Sequence, residues 1–506
     1  MSDTPVTEPL IFNGVDGASG NYVTSLSIAE LSALAQGKPL SDPQAPPAAK
    51  PSDLATDEHL NDLAYLHRKV TEPSFALAEG YEATDLASSG WGVVFAPNAN
   101  PAVREALAPL LDHRRAQAAA TNEKRYREFA GADTVQPGES KNAFLARHGA
   151  APGPVHPDVM PYYLLLVGGP DAIGFEFQVN LDVPHAVGRI HFADASGGDD
   201  LDAYAAYARG VVAAETGARL PRRAAFVAIQ NPDDPATTLS ATDLVPPLAA
   251  RVQADKADWT VETITGDAAK KAGLLALLNG EAPPALLFTA SHGMGFPAGD
   301  ARQLPHQGAL LCNDWPGPRN HKGAIPQDYY LAGDDIGDAA TLGGMIAFHF
   351  ACYGAGTPHM DDYAHRALAT PQPIAPHPFV AALPQRFLGH PQGGALAAVG
   401  HIERAWGYSF LWEKTPGQSG RQIEVFASTL KRLMEGHPIG SALEHFNLRY
   451  AELATVITQE LSDVRNGKTP NDFSLGTTWT AHNDARGYAL LGDPAVRLIP
   501  IEDEGS

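Results

Sequence analysis

A chain of 506 residues with 44% hydrophobic and 19% charged side chains has room for two or three globular cores and is too apolar to be disordered throughout. Its 58 acidic against 36 basic residues give a formal charge of −22, which repels a phosphate backbone or an anionic membrane surface and counts against nucleic acid and membrane as partners. Two cysteines, Cys312 and Cys352, allow at most one disulfide, and no apolar run approaches the roughly 18 residues of a membrane helix, so a soluble, cytoplasmic protein with reduced thiols is expected.

Residues 1–90 have weak periodicity and contain a Pro/Ala-rich, linker-like stretch at 41–53, and they read as an extension. From Trp91 short apolar β-type runs alternate with helical patterns, the signature of an α/β protein with a mostly parallel sheet. A first unit, 91–220, holds strand runs at 91–97, 161–169 and 185–192, with helical patterns at 102–118 and 201–215. A second unit, 221–506, holds strand runs at 224–230, 259–265, 285–290, 345–350 and 394–400, and a terminal run at 489–500. Helical patterns fall there at 240–253, 267–279, 421–435 and 440–463.

Two apolar strands in the second unit end in reactive side chains. The run 285–290 leads into Ser291-His292-Gly293, and the run 345–350 leads into Ala351-Cys352-Tyr353-Gly354. In parallel α/β sheets the carboxyl ends of the strands form the ligand crevice, so adjacent strands would bring imidazole and thiol together. A free thiol titrates near 8.5, and a neighbouring imidazole that takes its proton makes it a nucleophile for a peptide carbonyl. The backbone amides of Gly293 and Cys352 are the candidates for holding the oxyanion. A cysteine closing an apolar strand is more often an inert core residue, and a histidine after a strand is more often a hydrogen-bonded surface residue; the conjunction of the two is what points to chemistry.

The segments SHG (291–293) and FACYGAG (350–356) resemble the clan of caspases, gingipains and CHAT-domain peptidases. Three more segments, in matching order, are similar to the gingipain branch: YYLLLVGGPDAIG (162–174), AVGRI (186–190) and LLGDPAVRL (490–498). The likeness spans roughly residues 90–500. It implies a caspase-type (caspase–hemoglobinase) α/β fold of two subdomains with mostly parallel sheets flanked by helices, and a cysteine endopeptidase working through Cys352 and His292 without a cofactor. One departure concerns the turn after the nucleophile, where glycine stands at the second and fourth places, Gly354 and Gly356. The resemblance also places a specificity pocket near 176–182 and near GHIERAW (400–406), so that Glu176, Asp182 and Glu403 would receive a basic substrate side chain and Trp406 would line the pocket. The plain alternative for the three acids is a solvated surface, and for Trp406 an ordinary core aromatic.

Asp171, in the loop after an upstream strand, is the candidate for orienting His292. His349, His359 and His365 crowd the nucleophile without metal-ligand spacing, so no metal is expected, and His349 reads as a packed core imidazole. Cys312 reads as buried and inert. The Gly-, Pro- and Asp-rich insertion 295–338 reads mostly as surface connections, part of it as an active-site lid. The rival to a peptidase of proteins or peptides is a catalytically silent caspase-like scaffold that binds a partner through the pocket or through residues 1–90. A third possibility is an enzyme kept latent by that extension, with 41–60 as a cleavable linker.

Overall fold

A computed structural model of the chain describes residues 10, 12–23, 26–38, 76–194, 196–217, 219–280, 283–361, 373–413 and 419–500. The linker stretch 41–53, the span 41–60 and His365 lie outside the described residues.

The protein is α/β, as expected, and its strands form one continuous ten-stranded sheet. In spatial order these are Tyr126–Phe129, Trp91–Phe95, Tyr163–Val167, Ala186–Ile190, Tyr488–Gly492, Ala397–His401, Ile346–Phe350, Leu286–Ala290, Arg223–Ala228 and Thr260–Ile264. The first five run parallel to one another and so do the last five. The single antiparallel junction lies between Tyr488–Gly492 and Ala397–His401. The chain's last strand returns to the middle and knits two opposed five-strand blocks into one sheet.

Strand alternation divides the core. Val93, Phe95, Leu165, Val167, Phe226, Phe288, Phe348 and Phe350 face one continuous apolar cluster. Their neighbours Val94, Leu164 and Leu166 face a second, and Ala225, Val227, Leu287 and Ala347 a third. Both faces are thus covered, which is why the central strand runs are uninterruptedly apolar. The helical patterns form with local breaks where the sequence supplies them. The pattern at 102–118 splits at Leu107, before Pro109, into Pro101–Ala106 and Ala108–Ala118. The pattern at 240–253 begins as a π-helical turn, Ser240–Leu244, ahead of Val245–Asp255.

The insertion after His292 builds a second, four-stranded sheet in the order Gly14–Asp16, Gly293–Gly295, Leu310–Leu311 and Tyr330–Leu331. Its outer strand comes from the N-terminal extension. That extension continues into the helix Ile28–Ala35, which is capped by a reciprocal Ser27/Glu30 box. The helix packs on Asp472–Arg486: Ile28, Leu31, Leu34 and Ala35 are buried, and the Ser32 hydroxyl donates to Asp472 at 2.7 Å. Residues 10–38 are therefore docked on the α/β body as far as they are described.

Candidate active site

The histidine strand, Leu286–Ala290, and the cysteine strand, Ile346–Phe350, are hydrogen-bonded neighbours in parallel register, Ala290 opposite Phe350. Both chains leave the sheet at the same edge, so His292 and Cys352 emerge side by side. The approach is close enough that a Cβ on Gly293 would sit 1.7 Å from the carbonyl oxygen of Cys352, which only glycine permits. Tyr353 turns the chain with φ of 59° and donates its amide to the Glu403 carbonyl.

The amides of Gly293 and Cys352 converge on one oxygen. Gly293 donates at 2.9 Å and Cys352 at 3.0 Å, both to the carbonyl of Asn13 in the N-terminal extension. The Asn13 amide donates to the Ala405 carbonyl at 2.8 Å. Gly14, Val15 and Asp16 then pair in parallel with Gly293, Met294 and Gly295, so the extension lies across the site as an added strand. A Cβ on Gly14 would stand 2.7 Å from the Cys352 sulfur. Phe12 meets Trp406 in a tilted contact with ring centroids 5.0 Å apart. Cys352 is 0% exposed, and part of what covers it is this segment. Its sulfur accepts from the Ala405 amide at 3.2 Å, and burial pushes the thiol up to about 12.

His292 is also fully buried. Its Nε2 faces the Asp234 carboxylate at 2.6 Å, while Nδ1 has no hydrogen-bond partner. An Nε2 proton directed to Asp234 leaves Nδ1 as the nitrogen that exchanges a proton, carrying the lone pair whenever the ring is neutral. Asp234 caps the helix Pro235–Leu239, accepts from the Thr237 hydroxyl at 2.6 Å and also receives the Tyr22 hydroxyl. Burial pushes this carboxyl up, but the His292 charge and hydrogen bonds from His292, Thr237 and Tyr22 hold it well below the usual carboxylate range. Asp171 does not orient His292: it is an exposed residue beyond Tyr163–Val167, in the other block of the sheet. Asp234 was missed because NPDDPATT reads as a turn and helix cap. Its usable signal was position, since Arg223–Ala228 is the strand next to Leu286–Ala290.

Of the three acids assigned to a basic pocket, Asp182 and Glu403 are bonded to other groups of the chain. Asp182 closes the helix Phe175–Asp182, accepts from the Val187 amide at 2.7 Å, and burial pushes it up to about 7. Glu403 is paired with Arg404, which also grips Asp361 through two contacts of 2.8 Å. Glu176 is exposed and lines, with Glu403 and Arg404, a cavity of about 210 Å³. None of the three is a partner of Asn13, the side chain that stands next to the dyad. Trp406 is fully buried in the main apolar cluster, and its ring meets Phe12. His349 is a packed core imidazole, bonded to the Thr289 hydroxyl at 2.8 Å and lowered to about 4 by burial. His359 bonds to the Ala375 carbonyl at 2.7 Å. Cys312 is buried, and its thiol is pushed up by desolvation. Among the described residues, no helix is long and apolar enough to cross a membrane.

No family model matches the chain, and no curated protein does. Among solved structures it is similar to one described only as the structure of a protease, at 13% identity over 82% of this chain and 80% of that one, with a TM-score of 0.46. It is also similar to the Arg-specific cysteine proteinase gingipain R (RgpB), at 13% identity over 83% and 79% of the two chains and a TM-score of 0.46. A third is a complex of the pro- and mature domains of RgpB from Porphyromonas gingivalis, at 13% identity, 81% and 80% coverage and a TM-score of 0.39.

Proposed function

We propose that this chain is a cysteine endopeptidase held closed by its own N-terminal segment. Cys352 attacks a peptide carbonyl, His292 takes the thiol proton and returns it to the leaving amine, and the Gly293 and Cys352 amides hold the oxyanion. One observation carries this: a main-chain carbonyl, that of Asn13, already accepts hydrogen bonds from the amides of Gly293, at 2.9 Å, and of Cys352, the residue that bears the thiol, at 3.0 Å. Two such donors are each worth on the order of 3 kcal/mol to an oxyanion in a water-poor site. A peptide bound as an added strand is also how an extended substrate would enter. The free Nδ1 of His292, with Asp234 fixing the opposite nitrogen, supplies the base.

The test is cleavage of an unfolded protein substrate by the full chain and by Cys352→Ala and His292→Ala, each checked for folding by circular dichroism. Each substitution is expected to lower the rate by at least three orders of magnitude, and an unchanged rate in either ends the proposal. The buried thiol favours one other function, a silent scaffold whose pocket serves only to dock a segment. In that case Cys352 would alkylate no faster than Cys312 even after the N-terminal segment is displaced.

A further inference from the structure

We infer that the pocket beside the dyad selects an uncharged carboxamide side chain, and that Asn13–Gly14 is a bond this chain cuts in itself. This rests on the peptidase proposed above and adds its substrate class. The residue whose carbonyl lies on the two amides is the one whose carboxyl side is cut, and that residue is Asn13. Its side chain is 1% exposed, so the pocket is filled. Nδ2 faces the Ser291 carbonyl at 3.2 Å and the Ser240 hydroxyl oxygen at 3.4 Å. The Ser240 hydroxyl is directed at the carbonyls of Ala236 and Thr237, at 3.3 and 3.2 Å, so towards Asn13 it presents a lone pair.

Both partners of Nδ2 are therefore acceptors. An amide satisfies them, an aspartate would set a negative charge against them, and a leucine would leave them unpaired in a dry pocket. An arginine or lysine would carry a buried cation to a place where no carboxylate is bonded to the occupant. The flanking residues are equally specific. Phe12 meets Trp406 and Tyr22, with centroids 5.0 and 5.8 Å away, and Gly14 is the residue that leaves room for the sulfur. Phe-Asn-Gly is thus a bound sequence with its middle carbonyl in place.

The step balances with water as the only co-reactant. The Cys352 sulfur bonds to the Asn13 carbonyl carbon as its proton passes to His292 Nδ1. The carbon–nitrogen bond to Gly14 breaks, and that proton leaves on the Gly14 amine. Water then cleaves the thioester, releasing the Asn13 carboxylate and restoring the thiol.

Intact-mass spectrometry and N-terminal sequencing of the full chain, held at neutral pH with reductant, test this. A chain beginning at Gly14 is expected to accumulate, at least tenfold more slowly in Asn13→Asp and not at all in Cys352→Ala. Independently of any variant, added peptides containing Phe-Asn-Gly should be cut at least tenfold faster than those with Phe-Asp-Gly, Phe-Leu-Gly or Phe-Arg-Gly. A cut at Asn13–Gly14 that persists in Cys352→Ala is spontaneous Asn–Gly chemistry and overturns the self-cleavage, as does an uncut chain that still cleaves the peptides. Cys352-dependent cleavage with no preference for asparagine overturns the pocket assignment and leaves the peptidase standing. No Cys352-dependent cleavage of chain or peptides overturns both.

Discussion

The Asp234 carboxylate gathers His292 Nε2, the Thr237 hydroxyl and the Tyr22 hydroxyl around two buried oxygens. Because its folded pKa is depressed, the stability it confers is present above the ordinary aspartate value near 4 and is lost as pH falls below it. Its role in the proposed chemistry is positioning, since it fixes the His292 ring and leaves Nδ1 as the base. Asp234→Asn is expected to lower kcat about 10²- to 10⁴-fold with KM little changed, because an amide accepts the wrong tautomer as readily as the right one. Asp234→Glu should restore part of the loss, and steady-state kinetics showing a KM effect alone would assign Asp234 to binding. The neighbouring placement of Cys352 and His292 was legible because each follows an apolar run that only a buried strand explains. Their orienting partner was not. Asp171 and Asp234 both follow strands, and only lateral strand order separates them: four strands lie between Tyr163–Val167 and Leu286–Ala290, whereas Arg223–Ala228 is adjacent.

Among the secondary-structure elements, the N-terminal strap is the one whose role the sequence conceals. Gly14–Asp16 spans three residues, and its hairpin partner around Tyr22 is joined to it by a Gly- and Ser-rich turn, so no period can be read from it. Its anchor is equally hidden. Asp472–Arg486 is buried on most sides through Thr477, Thr478, Thr480, His482 and Asn483, and such a helix lacks the apolar stripe that periodicity detects. The Ser27/Glu30 capping box ahead of Ile28–Ala35 was a readable signal that the extension holds a helix. The strap meets the sulfur most tightly at Gly14. Gly14→Ala forces a methyl to within 2.7 Å of the sulfur, an overpacking worth about 1–3 kcal/mol against the docked strand. Opening the strap lets the Cys352 thiol relax from about 12 towards the ordinary value near 8.5, so more thiolate is present at neutral pH. Iodoacetamide labelling followed by peptide mapping should show Cys352 reacting at least tenfold faster in Gly14→Ala. Cys312, buried on Leu310's carbonyl, should stay slow in both proteins. Equal Cys352 rates would mean that the strap does not guard the thiol.

Across the whole molecule, the seam between the two five-strand blocks runs beside Tyr488–Gly492, and a buried ionic cluster ties the end of that strand to the rest of the first block. Arg114, on Ala108–Ala118, reaches Glu215 through contacts of 2.6 and 2.8 Å, and reaches Asp493, just past the central strand, at 2.6 Å. Asp493 also accepts from the Trp91 indole at 2.8 Å. The sequence showed Arg114 only as one residue of the helical pattern at 102–118. Asp493 stood out as part of LLGDPAVRL without a physical reason; that reason is the joining of the first block to the chain's last strand. Burial pushes Glu215 up, but the Arg114 charge and hydrogen bonds from His113 and Arg114 outweigh it and bring it down to about 2. A depressed carboxyl contributes stability that is present above its unfolded value near 4.3 and is lost as pH falls towards 2. Arg114→Ala leaves Glu215 and Asp493 buried together without their cation, which should cost about 3–5 kcal/mol at pH 7. Urea denaturation at pH 7 and at pH 4 checks this. The difference between wild type and variant should shrink at the lower pH, because without Arg114 the Glu215 carboxyl takes up a proton more readily and the uncompensated charge disappears. A difference that stays constant between the two pH values would mean that Arg114 supports the first block by packing alone.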